Sequence, residues 1–524
     1  MKSLLTGIVL FLFVGFAFAQ NPEAPAEEVV EQGPSLISKI ADTMWGWGPV
    51  VATRDTPEGP VKDMLPLLVI LLLGTGIILT FTTGAVQFKK FRSASRLLLA
   101  GAMRKDGSDK EEGDITPFQA LMTSLSATVG NGNIAGVATA IALGGPGAAF
   151  WMWMTALFGM ATKYGEAVLG IKYRKVAEDG SMSGGPMYYC EYGIGGKLGK
   201  TLGIIFAISG LIACLIGTGN MFQSNSMAVA VATQLTNNNI ISPDSAQLAQ
   251  GVVGFIVAVL VGMVILGGVK RIAAVSERLV PTMIGMYFLG ALIIIFWNIT
   301  DIPAAFGTIL HSAMNPQAAL GGAVGIGIAQ AIRYGVARGI LSNESGLGSA
   351  PIAHGAAKTK EPVQQGMIAM MGTFIDTIVV CTLTALVITV TGAYKQGPLF
   401  VDEGALQSID MTMFAFNQVI PGGSYVVMIG SFLFGISTLI GWSYYGEKCL
   451  EYLAGVKSKN IYRIIFIIFL FVGSLPTAEG ISELAKVGDI GNALMAVPNL
   501  IALLLLAREV GRITKDYIKR QATA

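Results

Sequence analysis

Residues 123–153 read TSLSATVGNGNIAGVATAIALGGPGAAFWMW. On both sides of Gly130-Asn131-Gly132-Asn133 the chain is apolar enough for a buried helix, whereas two glycines and two amides are poor continuation residues at that depth. The pattern predicts a helix interrupted at its middle. Within a bilayer an unwound turn leaves backbone N–H and C=O groups without intrahelical partners, and it persists only where protein, ions or a polar ligand satisfy them. The half-helix before the break aims free carbonyls at the gap, and the half-helix after it aims free N–H groups there. Such a gap can hold a cation beside an anion. The alternative is packing: Gly132, Gly136 and Ala140, spaced by four, let another helix approach closely. Packing accounts for the glycines and not for the two asparagines.

The rest of the chain fits membrane depth. Of 524 residues, 53% are hydrophobic and 13% charged, where soluble domains carry about 25% charged residues. The sequence is that of an all-α polytopic membrane protein. A net charge of +2 without a basic stripe argues against a nucleic-acid partner. Cys190, Cys214, Cys381 and Cys449 are widely spaced and read as buried or cytoplasmic thiols. At the start, Lys2 precedes an apolar run too short to span comfortably, closed by Ala17-Phe18-Ala19. That is the pattern of a signal peptide over residues 1–19, with an uncleaved anchor as the alternative. Residues 20–63, with four glutamates at 23–31, read as a flexible exported tail with room for one surface helix at 36–46.

The first span, about 65–87, is followed at once by Lys89, Lys90, Arg92 and Arg96, which places its end in the cytoplasm. Later clusters, such as Lys448, Lys457 and Lys459, and then Arg508, Arg512 and Lys515, keep the same sense. They predict eleven spans in the plasma membrane, with the N-terminus outside and a C-terminal tail (511–524) in the cytoplasm. Within a transporter domain at 64–510, the segment 318–340 contains LGGAVGIGIAQAIRYGVARGI. Its Val324-Gly325-Ile326-Gly327-Ile328 repeats the skeleton of Val129-Gly130-Asn131-Gly132-Asn133 after four intervening spans. An odd number of helices per unit inverts the second copy, so the pattern predicts an inverted repeat of units at about 115–298 and 316–507.

The strings GNGNIAGVATAI and GGPGAAFWMWMTALFGMATKYGE closely resemble the alanine or glycine:cation symporter family. So do QAIRYGVARGILSNESGLGSAPIAHGAAKT (330–359) and GISTLIGWSYYGEK (435–448). The resemblance covers about residues 60–510. It implies one peripheral helix plus a five-plus-five core of the kind seen in bacterial leucine transporters. It also implies symport of a small neutral amino acid, alanine and perhaps glycine, with sodium and no further cofactor. Coupling to protons is the nearest alternative. A membrane enzyme is disfavoured, because no paired-carboxylate, H-E-x-x-H or G-x-S-x-G motif lies in the spans.

Sodium takes about five or six oxygens, chiefly neutral. The carbonyls of Ala127 and Gly130 are available at the break. The resemblance implies that Ser437 and Thr438 face them from the eighth core helix; otherwise both hydroxyls bond back within their own helix. For the substrate, the N–H groups of Asn131, Gly132 and Asn133 suit a carboxylate, with the Thr128 hydroxyl nearby. Gln223, Asn220 or break carbonyls suit the ammonium. Trp442 either walls the side-chain pocket or anchors at the membrane interface. Lys163 and Glu166 are spaced for an i,i+3 pair, Arg338 and Glu344 for part of an inner gate, and Asp376 for a proton or sodium ligand. His311 and His354 are expected in loops.

Overall fold

The computed structural model describes residues 35–523 except 57–58, 104–111, 218, 238, 316–327, 402–403 and 476–477. The expected signal peptide, and all of the second V-G-x-G-x copy but its last residue, lie outside the described residues.

The chain begins with α1 (Leu36–Gly46), capped by the Ser35 hydroxyl, and a hairpin of β1 (Val50–Thr56) and β2 (Gly59–Met64). The helix fills the span left open for it, and the hairpin follows it within residues 20–64. Trp45 Nε1 donates to Asp489 O at 3.0 Å and Lys486 Nζ to Ser38 Oγ at 2.6 Å, so α1 is held against the last helix. Then follow α2 (Leu67–Thr82) and α3 (Phe91–Met103).

The organising helix is in two pieces, α4 (Pro117–Thr128) and α5 (Ala135–Gly144). Its start is fixed locally. Thr116 Oγ1 accepts from Gln119 N, Gln119 Oε1 accepts from Thr116 N, both at 3.1 Å, and Pro117 opens the first turn. Gly145-Pro146 then turns the chain into α6 (Ala148–Lys172), and a short hairpin, β3 (Lys175–Val176) with β4 (Met182–Ser183), follows it. Next come α7 (Gly196–Leu215), α8 (Met221–Asn237), α9 (Ala246–Ile265), α10 (Gly268–Trp297) and α11 (Ile302–Met314).

A second interrupted helix consists of α12 (Ile328–Asn343) and α13 (Ala350–Gly355). It leads to α14 (Pro362–Thr373), a π-helical stretch at Phe374–Cys381 and α15 (Thr382–Val390). The chain ends with α16 (Ser408–Asn417), α17 (Gly423–Ala454), α18 (Lys459–Gly473) and the long α19 (Ala478–Thr523). Among the described residues six helical segments are long and apolar enough to cross a membrane. Other segments expected to span are short, as α2 is, or broken, as the two interrupted helices are.

The interrupted helices lie side by side and run in opposite directions. A Cβ built on Gly144 would meet Ala331 and Tyr334, and one on Gly132 would meet Ser342. The chain before α4 bonds to the chain after α13, with Lys358 N donating to Ile115 O at 2.7 Å and Asp114 N to Ala356 O at 2.8 Å. Both breaks therefore sit at one depth in the middle of the bundle.

Candidate functional site

At the first break, Val129 and Gly130 leave helical geometry and a single 3-10 turn at Asn131–Asn133 leads into α5. The turn is held by its own last residue. Asn133 Oδ1 accepts from Gly130 N at 2.9 Å, and Asn133 N donates to Gly130 O at 3.1 Å. Among the described residues no partner meets the N–H groups of Asn131 or Gly132. Two adjacent donors at a helix start suit an anion.

Helix α17 crosses this break. A Cβ added to Gly441 would strike Ala127, and one added to Gly130 would lie 2.6 Å from Thr438 Oγ1. Only glycine lets that hydroxyl reach the unwound backbone. Ser437 Oγ donates to Phe434 O at 2.8 Å and lies 3.4 Å from Val129 O, so the back-bonding alternative holds for it in part. Thr438 is different. Its Oγ1 is buried without a partner, and a buried hydroxyl left unpaired costs about 1–3 kcal/mol. Nearly two turns before Ser437, Ser431 Oγ donates to Asn131 Oδ1 at 2.5 Å. Helix α8 contributes Gln223, whose Nε2 is also buried without a partner and lies 3.1 Å from where a Cβ on Gly435 would sit.

The second break, Glu344–Ser349, needs left-handed backbone at Glu344 (φ 55°), Gly346 (94°) and Gly348 (82°). Its free groups meet charged side chains of α6. Lys163 Nζ donates to Asn343 O at 2.7 Å, taking the carbonyl end of α12. Glu166 Oε1 accepts from Gly346 N and Gly348 N, both at 3.1 Å, and from Asn499 Nδ2 at 2.7 Å. The cation thus meets a helix C-terminus and the anion the N–H groups leading into the next half-helix, the favourable sense for both dipoles.

Several expectations change with this geometry. Lys163 and Glu166 do not pair with each other; each binds the second break instead, because free backbone groups at membrane depth need strong partners. Asn133 has its N–H and its side chain engaged within the chain, which leaves Asn131 and Gly132 as the open donors. Asn220 Nδ2 donates to Phe466 O of α18 at 2.9 Å, while its Oδ1 is buried without a partner. Glu344 accepts from Ser349 Oγ, and among the described residues no hydrogen bond or ion pair joins it to Arg338. Both histidines are helical, His311 in α11 and His354, fully buried, in α13. Ala127, Thr128, Gly130, Ser437 and Thr438 do come together. Trp442 is buried one turn further along α17, against Gly219, Tyr445 and the Glu344 carboxylate, which does not fit an interfacial anchor.

A family model described as the sodium:alanine symporter family matches residues 56–524. The chain belongs to that family. It is a cation-coupled amino-acid symporter and an integral membrane protein. It is 48% identical over 453 residues to the sodium/alanine symporter AgcS of Methanococcus maripaludis, covering 86% of this chain and 94% of that protein. It is 36% identical over 472 residues to the probable sodium/glutamine symporter GlnT of Bacillus subtilis, covering 88% and 90%. Against the putative sodium/proton-dependent alanine carrier protein YrbD of Bacillus subtilis the identity is 37% over 465 residues, covering 87% and 90%.

At the end of the bundle away from α1, the symporter carries a charged network on the β3–β4 hairpin. Arg174 donates to Gly355 O (3.2 Å), Ala357 O (2.6 Å) and Thr359 O (2.8 Å), beside α13. Met182 N donates to Asp114 Oδ2 at 2.8 Å, beside α4. Lys459 Nζ donates to Asp179 Oδ2 at 2.7 Å and to Ser181 Oγ at 2.9 Å, and Ser183 Oγ donates to Glu451 Oε1 at 2.7 Å. The hairpin therefore ties the same ends of both interrupted helices to α17 and α18.

Proposed function

We propose that this symporter takes up alanine, and glycine as a smaller analogue, together with sodium, binding both at the first break. The observation that carries the reading is the set of unmet groups there: the N–H groups of Asn131 and Gly132, the Thr438 hydroxyl and the Gln223 amide. A carboxylate meets the two N–H donors and the Gln223 Nε2 donor. Sodium meets the carbonyls of Ala127 and Gly130, the hydroxyls of Ser437 and Thr438, and the substrate carboxylate. Neutral oxygens are the right ligands for an ion that must leave again. Thr128 Oγ1 lies beside the same carbonyls, with long bonds back to Ser124 O (3.3 Å) and Leu125 O (3.4 Å) that a ligand can replace. Trp442 closes the space below Thr438 and favours a methyl side chain over the longer one of glutamine.

The antiparallel interrupted helices are what an inverted repeat places at its interface. In this reading the N-terminus faces outward, the β3–β4 hairpin lies at the cytoplasmic side, and alternating access moves the two interrupted helices against α17 and α18. Proton coupling, suggested by the name of the sodium/proton-dependent alanine carrier protein YrbD, is the competing version. Uptake of radiolabelled alanine into proteoliposomes decides between them. A sodium gradient should drive accumulation, and a proton gradient in potassium buffer should not. Accumulation driven equally by protons without sodium would overturn the sodium assignment.

A further inference from the structure

We propose that Asp376 is a positioning residue of the alanine site, acting through Asn133; this rests on the reading of the first break as that site. Asp376 lies in the π-helical stretch between α14 and α15 and is fully buried. Its Oδ1 accepts from Asn133 Nδ2 at 2.7 Å, and its Oδ2 accepts from Ser342 Oγ at 3.0 Å and Thr377 Oγ1 at 2.7 Å. All three donors are neutral. The one lysine nearby, Lys163, gives its bond to Asn343 O.

An ionised carboxylate only accepts, whereas an amide donates at one end and accepts at the other. Beside Asp376, Asn133 must turn its Nδ2 to the carboxylate, and it also meets Asp376 O at 3.2 Å and Cys381 Sγ at 3.3 Å. Its Oδ1 is thereby directed onto Gly130 N–H. That bond keeps the 3-10 turn closed, and the closed turn leaves the N–H groups of Asn131 and Gly132 side by side and open. Asp376 also holds Ser342, the residue packed on Gly132, so one carboxylate fixes both interrupted helices where they meet. The same geometry opposes a role in holding the coupling ion. A cation needs oxygens with lone pairs turned toward it, and Asp376 is surrounded by donors.

The test compares Asp376→Ala with Asp376→Asn. The asparagine variant keeps an acceptor for Asn133, and its amide can donate to the Ser342 and Thr377 hydroxyls after they reverse. The alanine variant removes all three bonds. At saturating sodium, Asp376→Ala should raise KM for alanine at least tenfold with little change in kcat, and Asp376→Asn should raise it less than threefold. Sodium half-saturation at saturating alanine should move less than threefold in both. Asn133→Ala leaves Asp376 its two hydroxyl donors and should reproduce the KM shift, and the Asn133→Ala, Asp376→Ala double variant should be no worse than either single one. Asn133→Ala carries the test alone if Asp376→Ala does not fold. Unchanged alanine KM in both alanine variants overturns the proposal. So does an Asp376→Asn variant as impaired as Asp376→Ala with altered sodium or pH dependence, which would make Asp376 an ion or proton ligand. Gln223→Leu separates this failure from failure of the site itself: if it too leaves alanine KM unchanged, the site lies elsewhere.

Discussion

At Glu344–Ser349 the free backbone groups meet Lys163, Glu166 and Asn499, whereas at Gly130–Asn133 they meet neutral amides and hydroxyls and, in two cases, nothing among the described residues. Both are helix breaks at one depth, built from glycines and polar residues. Charged side chains bind backbone groups tightly and fix them. Neutral, partly unmet groups leave room for a ligand that comes and goes. In the proposed function the second break is the fixed wall, and the first is the place where binding changes the structure. Alternating access, as proposed, would use this difference, because a ligand shifts a conformational equilibrium only by binding its states unequally.

The largest expected effect lies at the wall. Lys163→Met keeps the side chain's length but removes the donor to Asn343 O and the one buried cation among Glu166, Glu344 and Asp376. Breaking a buried charged arrangement of this kind costs about 3–5 kcal/mol. Asn131→Ala at the first break removes one neutral hydrogen bond, worth about 0.5–1.5 kcal/mol. Thermal unfolding of the two purified variants in detergent should differ accordingly, with Lys163→Met far the less stable. Equal shifts would erase the contrast between the breaks.

Next comes the ion. Replacing Ser437 and Thr438 by alanine leaves α17 intact and removes two oxygens from the proposed sodium site. The sodium concentration for half-maximal uptake should rise at least tenfold, about 1.4 kcal/mol, while alanine binding at saturating sodium changes less. By linkage, sodium must tighten alanine binding by the factor with which alanine tightens sodium binding. A folded double variant with wild-type sodium dependence places the ion elsewhere.

A smaller effect tests the pocket. Trp442→Ala opens space beside Gly219 and below Thr438, so alanine should lose a few-fold in affinity while leucine begins to compete. Unchanged exclusion of leucine in a folded variant would leave Trp442 a packing residue.

How far the sequence carries this picture depends on the element. The first break was legible because two glycines and two asparagines in an apolar run have no role in an intact helix. The second carries the same signature in Asn343-Glu344-Ser345-Gly346-Leu347-Gly348, yet attention falls on the V-G-x-G-x copy at 324–328, which matches the first break in letters. Asn-Glu-Ser-Gly puts glycine and polar residues into an apolar run as Gly-Asn-Gly-Asn does, and both break a membrane helix. The partners of Lys163 and Glu166 were not legible at all. Their i,i+3 spacing points to each other, and only the fold brings Asn343 and Gly346 against α6. Ser431, Ser342 and Thr384, which bonds Asn133 O at 2.8 Å, are single hydroxyls whose roles depend wholly on which helix they face.

The smallest effect concerns what the two breaks share, the hairpin that ties the ends of both interrupted helices to α17 and α18. Asp179 carries its partly exposed link to Lys459. Burial works against the charged form of Asp179, but the Lys459 ammonium and the Ser181 hydroxyl and N–H outweigh it and hold the carboxyl below the usual carboxylate range. A carboxyl lowered in the folded state contributes stability that is present above its ordinary pKa of about 3.9 and lost as pH falls through the folded value. Between pH 6 and 8 the link is therefore fully formed and pH-independent. Its exposure keeps the contribution at or below about 1 kcal/mol. Asp179→Asn should accordingly leave alanine and sodium affinities unchanged, because it touches neither break. It should also raise labelling of a cysteine placed at Ser183 by a membrane-impermeant maleimide added from the cytoplasmic side, as the hairpin releases more often. Added salt should narrow the difference between variant and parent. An unchanged labelling rate would show that Arg174 and Met182 hold the hairpin without Asp179, and the tie between the two breaks would then rest on the bundle side of the loop alone.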